Sequence, residues 1–389
     1  MDRDAYLKEE LCRLESEGNL RHLTPAGHED SHVIAEGRKM LNLSSNDYLG
    51  LAADVSLRRE FMERLDPGDF VMSSSSSRSL SGEFPVYGQV EDKLSEMFGK
   101  EAALVFNSGY HMNLGILPAV AGKDTLVVAD KLVHASMIDG IRLSAAGAIR
   151  FRHNDMTQLG NILEKEHGRH RRIIIAAESV YSMDGDRADL RMLCEFKKRY
   201  DNVFLYVDEA HAFGVFGENG LGLAEEQGCI RDIDYLCGTF GKALASMGGF
   251  VVCSRTVREY LINRMRPFIF STALPPVNWR WTEFLLGKLS GMKDRREHLA
   301  MLSARLRSGL EDLGFGMVSD TQIVPLTAGE SKVAVRLASE LQAAGFFVLP
   351  VRPPTVPEGS SRLRFSLTAG MTAADIAALT DAVRKITAL

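Results

Sequence analysis

Two stretches decide the reading of this chain: Tyr206-Val207-Asp208-Glu209-Ala210-His211 and, further on, Tyr235-Leu236-Cys237-Gly238-Thr239-Phe240-Gly241-Lys242. In the first, an apolar run ends in an acid at Asp208. In the second, an apolar run leads to a lysine at Lys242. Strand ends that carry an acid and an amine suit pyridoxal phosphate (PLP) chemistry. The amine forms a Schiff base with the aldehyde, and the carboxylate keeps the pyridine nitrogen protonated so that the ring takes up electrons. Gly241-Lys242 also resembles a fragment of a nucleotide P-loop. That reading fails: Leu236 stands where the loop needs its first glycine, and Ala243 where it needs Ser or Thr.

Around these stretches, short apolar runs alternate with amphipathic ones from about residue 100 to 255. The runs are Ala102–Phe106, Thr125–Ala129, Ile149–Arg152, Ile173–Ala177, Val203–Val207, Tyr235–Cys237 and Gly249–Cys253. Residues 111–120, 137–146, 156–167 and 190–200 read as helices between them. Near-continuous apolar strands alternating with helices predict an α/β fold with a large, mostly parallel sheet covered on both faces. Ligands of such sheets sit beyond the carboxyl ends of the strands, where Asp130, Ser182, Asp208 and Lys242 fall.

Outside this region, residues 5–17 predict a helix with Leu7, Leu11 and Leu14 on one stripe. Residues 41–51 predict a strand entering a turn, and 278–312 one long helical stretch. Beyond 313 the rhythm changes to strands at 314–318, 322–326, 346–351 and 362–367, with helices at 331–344 and 373–386. The expected organisation is an N-terminal helix and lead segment (1–45), a large cofactor-binding domain (46–290) and a smaller C-terminal α+β domain (291–389). The serine run Ser73–Ser77 reads equally as a flexible linker or a packed polar loop.

The 389 residues include 46 basic and 51 acidic side chains, a formal charge of −5. That balance gives no pull toward nucleic acid or membrane. The five cysteines, Cys12, Cys194, Cys229, Cys237 and Cys253, have no metal-ligand spacing. They predict a reduced, cytoplasmic setting and no metal site. No signal peptide is expected behind the acidic start, and no apolar segment is long enough to span a bilayer.

Several further positions bear on the same chemistry. Asn107-Ser108-Gly109-Tyr110 follows one strand and opens a helix, a natural anion site. His134, just after another strand, has an imidazole able to stack on a pyridine face. Ser182 could hydrogen-bond a phenolic oxygen, as could His211, which leaves the strand three residues after Asp208. Thr239 could bond a phosphate. Taken singly, each has a blander reading as a turn or a satisfied polar residue.

Together, Ser44-Ser45-Asn46-Asp47-Tyr48-Leu49-Gly50-Leu51, Ser108-Gly109-Tyr110, His134-Ala135-Ser136, Ser182-Met183-Asp184-Gly185-Asp186, Asp208-Glu209-Ala210-His211, Thr239-Phe240-Gly241-Lys242 and Ser271-Thr272-Ala273-Leu274-Pro275-Pro276 resemble the α-oxoamine synthases. These are fold type I PLP-dependent transferases, and the resemblance covers nearly the whole chain. It implies PLP on Lys242, which also handles the substrate proton, and Asp208 on the pyridine nitrogen. It further implies His211, Ser182 and Thr239 bonding the cofactor, Gly109 and Tyr110 near its phosphate, and His134 on the ring. Arg21 and Thr355 match substrate-binding positions with Asn46 close by, and Arg364 would meet the amino-acid carboxylate. Ser271 and Thr272 match a segment that reaches the phosphate of a neighbouring subunit, which implies a homodimer.

The implied reaction condenses an amino acid with an acyl thioester and releases CO2. Arg352-Pro353-Pro354-Thr355-Val356-Pro357, followed by Arg362-Leu363-Arg364, is most similar to the branch that joins L-alanine to a pimeloyl thioester, on CoA or a carrier protein. The alternatives are a branch using glycine and acetyl-CoA, or a PLP-binding protein without catalysis. Two positions depart from the family pattern: Ser73–Ser77 replaces a glycine-rich loop, and Tyr87 stands where many members carry histidine. The resemblance places both near the substrate entrance, so it leaves the acyl-donor preference open.

Overall fold

The computed structural model describes residues 3–387. The chain divides into two compact units. One comprises the N-terminal stretch to Ala53, the short piece Met183–Asp186, and the chain from Glu297 onward; the other comprises Asp54–Ser182 and Arg187–Arg296.

The second unit is built on a seven-stranded sheet. Across it lie Ala102–Phe106, Gly249–Cys253, Tyr235–Thr239, Val203–Asp208, Arg172–Glu178, Thr125–Asp130 and Gly147–Phe151. Gly249–Cys253 runs antiparallel to both neighbours, and the remaining neighbours pair in parallel. Every residue of the Ala102–Phe106, Thr125–Asp130, Tyr235–Thr239 and Gly249–Cys253 strands is buried, as expected for a sheet covered on both faces. The predicted mostly parallel α/β sheet is therefore present.

Several of its helices start where a short polar side chain satisfies a free backbone N–H. Ser108 accepts from His111 N, Asp155 from Gln158 N, Asp189 from Met192 N and Ser254 from Val257 N. In Leu190–Arg199 the buried residues are Leu190, Leu193, Cys194 and Phe196, while Lys197, Lys198 and Arg199 load the last turn against the helix dipole. The stretch expected as one helix over 278–312 is broken. Helix Pro276–Leu286 stops before Gly287, a 3₁₀ turn spans Leu289–Met292, and a new helix runs Lys293–Glu311. The serine run is a packed loop: Ser74 is buried and its hydroxyl donates to the Ala273 carbonyl at 2.7 Å.

The first unit contains two small sheets. In one, Gly27–Glu29, His32–Ala35 and Arg38–Asn42 form an antiparallel meander, and Phe346–Phe347 joins in parallel. In the other, Ser361–Ser366 pairs antiparallel with Ile323–Gly329 and Pro350–Val351. The strand expected over 346–351 is thus split between two sheets, with the exposed Leu349 between the pieces. Residues 314–318 form no strand. Their local pattern resembles a strand, but they take part in none of the described strand pairings. The N-terminal helix Ala5–Ser16 is present, yet it buries no residue: Tyr6, Leu7 and Leu11 are all exposed.

Candidate active site

Three adjacent parallel strands end in acids at the same sheet edge: Val203–Asp208, Arg172–Glu178 and Thr125–Asp130. Glu178 and Asp208 are register partners, so their side chains emerge next to each other on one face. Asp208 is held by two donors. Asn113 Nδ2 donates to Oδ2 at 2.8 Å and Ala210 N to Oδ1 at 2.9 Å.

Asn113 organises a buried polar chain. Its amide nitrogen also donates to Ser136 Oγ at 2.9 Å, and its oxygen accepts from Tyr206 OH at 2.5 Å. Ser136 in turn meets His134: its backbone N–H donates to Nδ1 at 3.2 Å and its hydroxyl lies 2.7 Å from the same atom. A nitrogen that accepts a backbone N–H carries no proton of its own, so the His134 proton resides on Nε2. Burial pushes the His134 imidazole below its ordinary value, with Asp208 pulling it up and Lys242 pushing it down. His134 thus senses both the acid and the lysine.

Lys242 follows the Tyr235–Thr239 strand in a closed loop. Ser246 N donates to Phe240 O at 2.9 Å and Ala245 N to Lys242 O at 2.9 Å, while Trp281 Nε1 donates to Ala245 O at 3.0 Å. The ring of Phe240 is fully buried beside Phe250 and Trp279 and anchors the loop. Lys242 Nζ lies 2.7 Å from Nε2 of the buried His211.

Of the remaining predicted cofactor groups, Gly109 begins helix Gly109–Val120. A Cβ on Gly249 would stand 3.0 Å from both Cα and N of Gly109, so the close approach of this strand to the helix start depends on Gly249. Thr239, at the next strand end, donates its hydroxyl to Gly248 O at 2.7 Å and lies beside Gly109. Tyr110 is half exposed; its hydroxyl donates to Asp139 Oδ2 at 2.5 Å, and its ring stands edge-on to His134. Ser182 is buried. Ser271 and Thr272 lie on an irregular segment, where Asn107 Nδ2 donates to Thr272 O at 2.7 Å.

The predicted substrate residues belong to the other unit. Arg364 Nη1 donates to Asn46 Oδ1 at 3.2 Å and to Ser366 Oγ at 2.6 Å, and its Nη2 to Tyr48 OH at 3.2 Å. Arg21 donates to Pro353 O at 3.1 Å and Thr355 Oγ1 at 3.4 Å.

Two site residues escaped the sequence reading. Glu178 is 2% exposed, and its Oε1 finds no donor among the described residues. Burial first, then the neighbouring Asp208, pushes its carboxyl up to about 8. The signal was the same as at Asp208: an apolar strand ending in an acid. Asn113 left a fainter trace, a lone amide on the buried face formed by Met112, Ile116 and Leu117.

The donor set fits PLP. A lysine amine, a buried and oriented carboxylate, an imidazole on a fixed tautomer and a helix start opened by glycine share one sheet edge, and a buried carboxyl oxygen there awaits a partner. Fold and site together define a fold type I PLP-dependent transferase.

The comparisons agree. The chain belongs to the aminotransferase class I and II family, whose sequence profile matches residues 38–383. It is 50% identical over 379 residues to the 8-amino-7-oxononanoate synthase of Haemophilus ducreyi, covering 96% of this chain and 98% of that one. Among solved structures, a serine palmitoyltransferase from S. paucimobilis carrying PLP and myriocin superposes with TM-score 0.88 at 30% identity, over 100% of both chains. The 8-amino-7-oxononanoate synthase of Francisella tularensis superposes with TM-score 0.76 at 27% identity, over 90% of this chain and 98% of that one.

Proposed function

We propose that the chain condenses L-alanine with a pimeloyl thioester to give 8-amino-7-oxononanoate, CO2 and free thiol, a step of biotin biosynthesis. The observation that carries this reading is Lys242 Nζ set 2.7 Å from His211, on the same sheet edge as the oriented Asp208 carboxylate. Likeness to 8-amino-7-oxononanoate synthases over nearly the full length supports the choice of substrates.

When bound, PLP supplies an aldehyde carbon that takes up amines and a ring that accepts electron density. Lys242 Nζ is the base that removes the proton from the alanine α-carbon and later returns it. His211 Nε2, beside that amine, shares the proton while it is held. Asp208 presents a fixed negative charge that needs no reorganisation, because Asn113 and Ala210 N already orient both oxygens. Burial and Asp208 itself push its neighbour Glu178 toward the protonated form, which eases repulsion between the two acids. His134 offers a flat neutral face and an Nε2–H donor. Arg364, with Asn46 and Tyr48 as its supports, is the group we assign to the substrate carboxylate. In the net reaction, a bond forms between the alanine α-carbon and the acyl carbonyl carbon. The C–S bond breaks with loss of the thiol, and the carboxyl carbon leaves as CO2.

We further infer that the enzyme works as a homodimer, with Ser271 and Thr272 serving the cofactor phosphate of the second copy. Phe270, Met72, Phe70 and Leu80 support this, since their exposed apolar side chains need cover. The acyl group arrives on CoA or on a carrier protein. Five free cysteines, four of them buried, favour the reducing cytoplasm. Among the described residues, no helix is long and apolar enough to cross a membrane.

Thiol release measured across a panel of amino acids and acyl thioesters tests the reading. Turnover with L-alanine and pimeloyl thioester is expected. Turnover with glycine and acetyl-CoA, and none with alanine, would overturn it.

A further inference from the structure

The segment Thr272-Ala273-Leu274 has no regular hydrogen-bond ladder, yet each of its three carbonyls is taken by a different side chain. Asn107 Nδ2 donates to Thr272 O at 2.7 Å, Ser74 Oγ to Ala273 O at 2.7 Å, and Tyr87 OH to Leu274 O. The Ala273 N–H is also used, donating to Ser76 O at 3.0 Å. An irregular backbone with every carbonyl claimed from a separate element is held in one conformation.

The donors are fixed in turn. Tyr87 is 1% exposed; its ring packs against Trp279 at 5.5 Å and beneath the Arg78 guanidinium at 4.7 Å. The Arg78 side chain is 7% exposed and bound to Glu83 and to Glu91, the latter at 2.6 Å. The serine loop is pressed onto Gly82 so closely that a Cβ there would stand 2.4 Å from Ser76 O. Burial pushes the Tyr87 phenol up to about 12, so it stays a donor at any working pH.

We propose that Tyr87 is a positioning residue that acts across the dimer: through Leu274 and its neighbours it holds Ser271 and Thr272 in place for the cofactor phosphate bound by the second copy. This rests on the reading of those two residues given above. It also assigns a purpose to the two positions that depart from the family pattern, Tyr87 and the serine loop. In this chain a phenol and a serine hydroxyl fasten the one segment.

Tyr87→Phe removes a single hydroxyl and keeps the ring packing. Its dissociation constant for PLP, read from the visible band of cofactor held at Lys242, is expected to rise about tenfold. kcat at saturating PLP should stay within about twofold. Tyr87→His, which restores a donor, should recover most of the affinity. Ser74→Ala should shift the affinity the same way by a smaller factor, and so tests the segment even if Tyr87→Phe folds poorly.

The decisive arm is a mixed dimer of Tyr87→Phe and Lys242→Ala chains. Its only Lys242 lies in the Tyr87→Phe chain, whose cofactor meets the intact segment of the other copy. Wild-type affinity at that site is expected. Affinity as weak as in the Tyr87→Phe homodimer would overturn action across the dimer. Affinity unchanged in the Tyr87→Phe homodimer would overturn the positioning role itself. A wild-type protein that shows no band with PLP would instead sink the functional reading beneath both.

Discussion

Replacing Glu178 with glutamine should change how stability depends on pH. The Glu178 carboxyl is pushed from an ordinary value of 4.5 up to about 8, chiefly by burial, then by Asp208 and weakly by Asp130; Lys242 and the His134 backbone N–H pull the other way. A raised acid pKa means that the folded cofactor-free protein keeps a proton that the unfolded chain has already lost. The contribution of Glu178 to folded-state stability therefore falls as pH rises from 4.5 to about 8, and levels off above that window. Each unit corresponds to about 1.4 kcal/mol, so the full displacement amounts to roughly 5 kcal/mol. Glutamine cannot ionise, yet it keeps the shape and can still accept the His134 N–H. The buried Glu209 is pushed up to about 7 and contributes its own slope, but equally to both proteins, so it cancels in the difference. Urea denaturation of both cofactor-free proteins, at steps from about pH 5 to pH 9, measures the gap. The variant's stability relative to wild type should improve by several kcal/mol across that range. Parallel curves would refute the reasoning, because Glu178 would then ionise no differently in folded and unfolded chains.

Asp208→Asn should fold normally but lose at least about 10²- to 10³-fold in kcat/KM, since the oriented charge is gone and its amide faces the Asn113 amide; steady-state rates within tenfold of wild type would contradict this. Arg364→Leu should raise KM for the amino acid about thirty- to hundredfold, the loss of roughly 2–3 kcal/mol from a charge-assisted pair, and leave KM for the thioester unchanged. Glu91→Leu strips the partner from Arg78 and Arg258 at a buried position and should cost about 3–5 kcal/mol in urea denaturation. A cost below about 1 kcal/mol would show that the cluster is not stabilising.

The central sheet was legible because its strands carry a strong and simple signal. Runs such as Ile173–Ala177 and Val203–Val207 are apolar on both faces, which only a doubly covered sheet explains. The meander at residues 27–42 left no such trace: its strands are short, and Gly27–Glu29 is exposed throughout. Helix Pro85–Phe98 was also overlooked, although Pro85 at its start and Gly99 at φ 60° just past its end are ordinary helix punctuation. Local pattern suggested a strand at 314–318, but a strand requires a partner edge, and no local pattern reports one. At the site, Lys242 and Asp208 stand out because each follows an apolar run. The Asn113 amide, which ties Asp208, Ser136 and Tyr206 together, lies far from them in sequence and could be placed only by the folded chain.

The proposed chemistry requires covalent attachment of PLP to Lys242. Borohydride reduction of the purified, cofactor-loaded protein, followed by peptide mass mapping, tests it without any assumption about substrate. One reduced pyridoxyl group per chain is expected, on the peptide containing Lys242, and none on Lys242→Ala. A label on another lysine, or no label on a protein that still turns over, would contradict it.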